Sequence, residues 1–205
     1  MKIGTAGFTA ALAVHLMERN AQAPAHGPVV VTGATGGVGS IAIDLLAARG
    51  YEVAAVSGKP EADAYLHEIG AARILQRQEV DVGRRPLEAA QWGGAIDNLG
   101  GEILTWLTRT TKPYGNVAAI GLAASHEFHG TVMPFILRGV NLLGVNSVYT
   151  PRALRLKVWE RLATDLKPRH LDRICTRTIA FDELPAAFPD YVAGKALGRT
   201  LVRIG

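Results

Sequence analysis

Short β-favouring runs alternate along the chain with longer stretches whose apolar residues recur at helical spacing, and glycine-rich or proline-rich turns separate them. Parallel neighbouring strands need crossover connections, so strands that alternate with helices predict a parallel sheet covered on both faces. The predicted strands cover 29–32, 51–56, 71–75, 94–97, 116–120 and 140–148. The predicted helices cover 4–20, 40–49, 61–69, 102–110, 132–139 and 151–165.

The last forty residues follow a break at Lys167–His170 and have a different order of elements. They predict a strand over 174–181, a helix over 182–193 with Asp182 as its N-cap, and a final strand over 199–204. The sequence therefore predicts an α/β fold, a doubly wound parallel sheet of the Rossmann type over residues 1–165. A short strand–helix–strand appendage occupies residues 166–205.

The first predicted strand runs directly into a glycine-rich turn that opens a helix. This order is typical of dinucleotide sites, because a pyrophosphate must nearly touch the backbone N–H groups at a helix start. A Cβ atom there would hold the pyrophosphate away. A purely structural turn is the alternative interpretation. The residues that we expect to bind the cofactor here are Thr35, Gly36, Gly37, Val38 and Gly39.

The end of the second predicted strand indicates which dinucleotide is bound. An acidic residue at this place would favour NAD, but the sequence has Ser57, Gly58 and Lys59. A hydroxyl, a glycine and an ammonium group suit the 2′-phosphate of NADP(H), which a carboxylate would repel. Arg73, close to the third strand, is expected to add a second cation, with a solvated arginine as the alternative.

Bulk properties narrow the class of protein further. The 205 residues are 48% hydrophobic and 20% charged, which is ordinary for a globular protein. The net charge of +4 comes from scattered Lys and Arg rather than a basic stripe, so we expect no nucleic-acid partner. No apolar run reaches the length of a membrane span, so we expect no membrane partner and a cytoplasmic location. The single cysteine, Cys175, is interpreted as a small buried hydrophobe.

Several motifs together resemble one family, the zinc-independent branch of the medium-chain dehydrogenase/reductases. Within it, the chain resembles the acrylyl-CoA reductase group, which is often labelled quinone oxidoreductase. The motifs extend over nearly the whole chain, and the opening segment and the segment at 134–140 are the most specific of them. They are GTAGFTA at 4–10, TGATGGVG at 32–39, SGK at 57–59, GAID at 94–97, PFILRGV at 134–140 and GRTLV at 198–202.

The resemblance implies reduction of an activated carbon–carbon double bond, with NADPH delivering hydride to the β-carbon. The implied substrate is a small molecule, either an enoyl thioester such as acrylyl-CoA or a quinone. It places Leu122, Ile136 and Ser147 at the nicotinamide end and implies a homodimer formed through the strand at 142–145. Asn98 and Asn146 depart from the family pattern near the nicotinamide end.

The resemblance also implies an N-terminal β-barrel that this chain lacks and that covers the nicotinamide in the family. The segment 166–205 would pack on that barrel. Hydride transfer needs donor and acceptor held about 3–3.5 Å apart in a water-poor site. We therefore expect weak or no turnover from this chain alone, and no catalytic residue is assigned.

Three alternatives compete with this interpretation. The glycine spacing, with Tyr191 and Lys195, also fits a short-chain dehydrogenase that uses this tyrosine and lysine for catalysis. A second alternative is an NADP-binding module that catalyses nothing. The segment 126–129, with two histidines around a glutamate, could suggest a metal, but the spacing differs from that of zinc proteases and favours a solvated loop.

Overall fold

A computed structural model describes residues 2–205 as a six-stranded parallel sheet with helices on both faces. The strand order β3-β2-β1-β4-β5-β6 places β1 and β4 side by side at the centre, where the order reverses. This is the predicted doubly wound arrangement. The strands are β1 Val29–Thr32, β2 Val53–Ser57, β3 Arg73–Gln76, β4 Trp92–Asp97, β5 Thr111–Ala119 and β6 Asn141–Gly144.

The central strands are buried on both faces because helices cover the sheet from each side. All residues of β1, β2 and β4 are buried, which explains why their sequences are continuous apolar runs rather than alternating ones. One apolar cluster joins α1 and α2 to one face, and a second joins α4 to the other. The helices are α1 Gly4–Arg19, α2 Gly37–Ala48, α3 Asp63–Glu68, α4 Gly101–Thr110, α5 Met133–Arg138, α6 Arg152–Ala163, α7 Leu171–Ile174 and α8 Leu184–Val192.

Several local predictions need correction. The short helix α7 follows the predicted break at 167–170 and includes Ile174, where a strand was predicted to begin; β7 starts only at Arg177. The N-cap of α8 is Glu183 rather than Asp182, and it makes no side-chain capping bond; its carboxylate instead accepts a hydrogen bond from the Ala180 amide at 2.7 Å.

A two-stranded parallel sheet, β7 Arg177–Ala180 with β8 Thr200–Arg203, forms the C-terminal part together with α8. Among its contacts with the large sheet, two involve the ends of α2. The buried carboxylate of Asp44 in α2 accepts hydrogen bonds from the Arg169 and His170 amides at 2.8 and 3.0 Å. At the other end of α2, the Gly198 amide donates to the Thr35 carbonyl at 2.8 Å. Both ends of α2 therefore contact the C-terminal part.

None of the helices in residues 2–205 combines the length and the hydropathy that a membrane crossing requires.

Candidate functional site

The turn between β1 and α2 lies at the carboxyl ends of the central strands, where ligands bind in open α/β sheets. The Gly36 amide donates to the Gly33 carbonyl at 3.0 Å, and Gly36 then serves as the N-cap of α2. No side chain of the described residues caps this helix, and its first turn carries no acidic residue. The first N–H groups of α2 are thus left for an anionic ligand.

Two glycines of this turn are required by close contacts. A Cβ on Gly39 would lie 2.9 Å from Ala34 Cα and 3.0 Å from the Gly33 carbonyl carbon, and closer still to the carbonyl oxygen. A Cβ on Gly37 would lie 3.1 Å from the Arg199 guanidinium. Gly39 therefore allows the turn itself to close, whereas Gly37 lies beneath an arginine from the C-terminal part.

A hydrogen-bond network holds the glycine turn against the loop after β4. The Thr32 hydroxyl donates to the Asp97 carboxylate at 2.7 Å and accepts from the Asn98 amide at 2.9 Å. The Asn98 side chain donates to the Thr32 carbonyl at 2.7 Å. Burial raises the pKa of Asp97, although its hydrogen bonds from Thr32, Gly100 and Leu99 act in the opposite direction. Asn98, a departure from the family pattern, thus has a defined structural role.

The predicted selector turn lies at the carboxyl end of β2. The Lys59 amide donates to the Ser57 hydroxyl at 3.0 Å, which shapes the turn, and Gly58 is exposed. The Lys59 ammonium donates to the Ala196 carbonyl at 2.5 Å. Burial lowers the pKa of Lys59, while Glu61 acts in the opposite direction. An ammonium group desolvated in this way is stabilised by any anion that binds beside it.

Arg199 is a site residue that the sequence analysis did not select. It immediately precedes β8, and its amide donates to the Ile174 carbonyl at 2.7 Å. Its Nε is buried and has no hydrogen-bond partner among residues 2–205, and Nη1 lies over Gly37. A buried donor without a partner costs free energy, so this guanidinium is suited to a phosphate above the turn. Because 162 positions separate Arg199 from Gly37, local patterns could not show the contact.

Arg73 does not lie at the predicted place, and this part of the prediction is wrong. It begins β3 and pairs with Ala54, so it lies towards the amino ends of the strands, opposite to the glycine turn. Its guanidinium bonds Glu52 at 2.9 Å and lies 5.3 Å from the ring centroid of Trp92. These contacts hold the Arg73 side chain at the amino ends of the strands, away from the glycine turn.

The three residues assigned to the nicotinamide end are spread over three elements. Leu122 follows β5 and Ser147 follows β6, so both come after the carboxyl ends of strands. Ile136 lies in α5 and is 71% exposed. The Arg138 guanidinium, at the end of the same helix, donates to the Arg109 carbonyl at 2.8 Å, beside the start of β5. No contact in residues 2–205 gathers the three side chains into one cluster, and their role stays a prediction.

The competing motifs do not form active sites in the described residues. Tyr191 lies in α8, but Lys195 lies beyond the end of that helix, so the two are not placed one turn apart on one helical face. In the 126–129 loop, His129 Nε2 lies 2.9 Å from the Glu127 carboxylate, and both side chains are exposed. Within residues 2–205, no three His, Cys, Asp or Glu side chains form a group that could hold a metal ion.

Comparison with known proteins decides between these families. A model described as zinc-binding dehydrogenase matches residues 37–164, which is more than half of the chain. The chain belongs to this family. The match confirms the medium-chain dehydrogenase/reductase prediction, and the short-chain alternative that used Tyr191 and Lys195 is wrong.

Family members of high similarity cover the whole chain. The acrylyl-CoA reductase AcuI of Ruegeria pomeroyi is 47% identical over 205 residues, and the chain spans 62% of that protein. The structure of the yhdH oxidoreductase from Salmonella enterica, in complex with NADP, matches with a TM-score of 0.95 at 46% identity over all of this chain and 63% of that one. The Bacillus subtilis protein yhfP, crystallised with NAD bound, matches equally well at 46% identity, with 62% of its chain covered.

Proposed function

We propose that this chain binds NADPH and is the nucleotide-binding part of an oxidoreductase. The observation that supports this most strongly is the convergence of three groups at one edge of the sheet. They are the uncapped start of α2, the Arg199 guanidinium above it and the Lys59 ammonium at the end of β2. Similar proteins crystallised with NADP or NAD support the same assignment.

Each group has a separate task in this proposal. The N–H groups of Gly37, Val38 and Gly39 bind the pyrophosphate, and Arg199 covers it from above. Lys59 and Ser57 contact the adenosine 2′-phosphate, which distinguishes NADPH from NADH because an ammonium group attracts that phosphate. The bound nicotinamide supplies a hydride, which carries two electrons.

The proposed reaction is the reduction of an activated carbon–carbon double bond. Hydride adds to the β-carbon, and a proton from solvent or a neighbouring group adds to the α-carbon. The name of the 47% identical acrylyl-CoA reductase supports an enoyl thioester, whereas a quinone is the alternative acceptor. Because the chain spans about 62% of these relatives, this activity is proposed for the whole protein.

A paired titration separates the enzyme from a binding module. NADPH fluorescence is followed as the chain is added, and acrylyl-CoA or a benzoquinone is then supplied while absorbance at the nicotinamide band is recorded. Binding followed by oxidation supports the reductase and identifies the acceptor. Because we expect weak or no turnover from these 205 residues alone, the oxidation step is decisive in the whole protein. There, binding without oxidation by either acceptor supports the module, and the absence of binding by the folded chain contradicts both.

We also propose a homodimer formed through β6, which is the edge strand of the large sheet. One side of β6 lacks a strand partner in the described chain, and Leu142 is 38% exposed on it. Light scattering tests this, since a monomeric mass at micromolar concentration contradicts it. The division at residue 165, the cytoplasmic location and zinc independence stay predictions.

A further inference from the structure

The ammonium group of Lys59 is held by a part of the chain that is distant in sequence. Its partner is the backbone carbonyl of Ala196, in the segment that leads from α8 to β8. Lys59 and Ala196 are 137 positions apart. The position of the Lys59 ammonium therefore depends on how the C-terminal part packs against the large sheet.

The Ala196 carbonyl is itself fixed by its neighbours. The Leu197 carbonyl accepts a hydrogen bond from the Thr176 hydroxyl at 2.7 Å. The Gly198 amide donates to Thr35 in the glycine turn at 2.8 Å. These two bonds hold the residues that follow Ala196 in place, so the Ala196 carbonyl is an acceptor with a fixed position.

A lysine held in this way keeps part of its binding capacity. An ammonium group has three donors, and the Ala196 carbonyl uses one of them. The other two can bind phosphate oxygens without breaking the existing bond. A free lysine side chain loses rotamer freedom when it binds a ligand, and a lysine that is already held loses less.

We propose that the C-terminal segment Ala196–Arg199 positions Lys59 for the adenosine 2′-phosphate and thereby determines the preference for NADPH over NADH. The inference rests on the proposed function, because it assumes that Lys59 contacts this phosphate. Ala196 acts here through its backbone and through Lys59, as a positioning residue.

A double-mutant cycle tests the inference through the ratio of NADPH to NADH affinity. Gly198 has φ +60°, and a Cβ there would overlap the Ile174 carbonyl oxygen, so Gly198→Ala displaces the segment. We expect the affinity ratio to fall about three- to tenfold, the cost of restricting one long side chain on binding. In a Lys59→Gln background, Gly198→Ala should leave the ratio unchanged. If Gly198→Ala also displaces Arg199, that displacement lowers the affinities for NADPH and NADH by the same factor, because both contain the pyrophosphate. The effect therefore cancels from the affinity ratio.

Gly194→Ala is the matched control. Gly194 lies in the same part of the chain at φ +67°, but no atom of residues 2–205 outside its immediate chain neighbours lies within 4 Å of its Cβ position. It introduces similar backbone strain without the overlap, so the ratio should stay at the wild-type value. A folded Gly198→Ala protein with an unchanged ratio, or an equal fall in the Lys59→Gln background, overturns the inference and leaves the proposed function standing.

Hydrogen exchange of the wild-type protein gives a second test if Gly198→Ala does not fold. NADPH should slow exchange of the Gly198 and Arg199 amides more than NADH does, and the two cofactors should act equally on Lys59→Gln. Equal protection by both cofactors in the wild type overturns the inference. A wild-type chain that binds NADPH no better than NADH overturns the proposed role of Lys59 and this inference with it.

Discussion

Substitution of Gly39 by alanine gives the sharpest prediction about the glycine turn. The new methyl group would lie 2.9 Å from Ala34 Cα and 3.0 Å from the Gly33 carbonyl carbon. Both are backbone atoms, so no side-chain rotation relieves the contact. Reaching an ordinary separation of about 3.5 Å or more requires the turn to move by about 0.5–1 Å.

A movement of this size breaks hydrogen bonds to a bound phosphate, because an N–H···O bond is lost beyond about 3.5 Å. Two such bonds to a charged group contribute about 3–6 kcal/mol together. The expected loss of NADPH affinity is therefore about 10²- to 10⁴-fold. Stability changes less, since overpacking costs about 1–3 kcal/mol and alanine regains up to about 1 kcal/mol of helix propensity.

The assay is an NADPH fluorescence titration accompanied by a thermal melt of the same sample. Gly144→Ala is the control, because no described atom lies within 4 Å of its Cβ position and its strand, β6, lies three strands away from β1 in the sheet. It should bind NADPH like the wild type. A folded Gly39→Ala protein with an affinity within about threefold of the wild type would refute the steric argument.

The other predictions concern single residues in the strands of the large sheet. Arg73→Ala should leave NADPH affinity unchanged in titration and cost about 1 kcal/mol of stability, because its partners lie at the opposite edge; a large loss of affinity contradicts that placement. Burial raises the pKa of Asp97, so the folded state binds its proton more tightly than the unfolded chain. The difference in melting temperature between the wild type and Asp97→Asn should therefore shift in favour of the wild type as the pH falls through the raised pKa towards about 4. A shift in favour of Asp97→Asn over this pH range would contradict the prediction. Asn116→Ala should cost about 1–3 kcal/mol in denaturant unfolding, because it leaves the buried Gln22 side-chain oxygen without its 2.9 Å partner; no loss would show that this bond is dispensable.

The large sheet was predictable from sequence because its signals are local. The run at Val29–Thr32, buried on both faces, and the glycines after it specify a strand, a turn and a helix without reference to the rest of the chain. The strand β5 was harder to delimit. It begins five residues before the predicted start and contains Pro113 and Tyr114, the latter at φ 62°, which local propensity assigns to a turn.

The errors in the site come from contacts between distant parts of the chain. Arg73 was assigned as a second cation for the 2′-phosphate, and the third strand was predicted to begin at residue 71. The strand instead begins at Arg73, where its side chain meets Glu52. Arg199 and Ala196 reach the site because α7 contacts α2 and the segment that leads into β8 is hydrogen-bonded to the glycine turn. Their local sequence gives a strand start and a turn, and neither predicts a ligand.

Calorimetric titration of the purified 205-residue chain with NADPH and, separately, with NADH directly tests whether the glycine turn and Lys59 bind NADPH in preference to NADH. We expect one site per chain for each cofactor. NADPH should bind about 10- to 100-fold tighter than NADH, as one charge-assisted contact to the 2′-phosphate would give. A folded chain that gives no binding heat with either cofactor, or that binds NADH more tightly, would contradict this expectation.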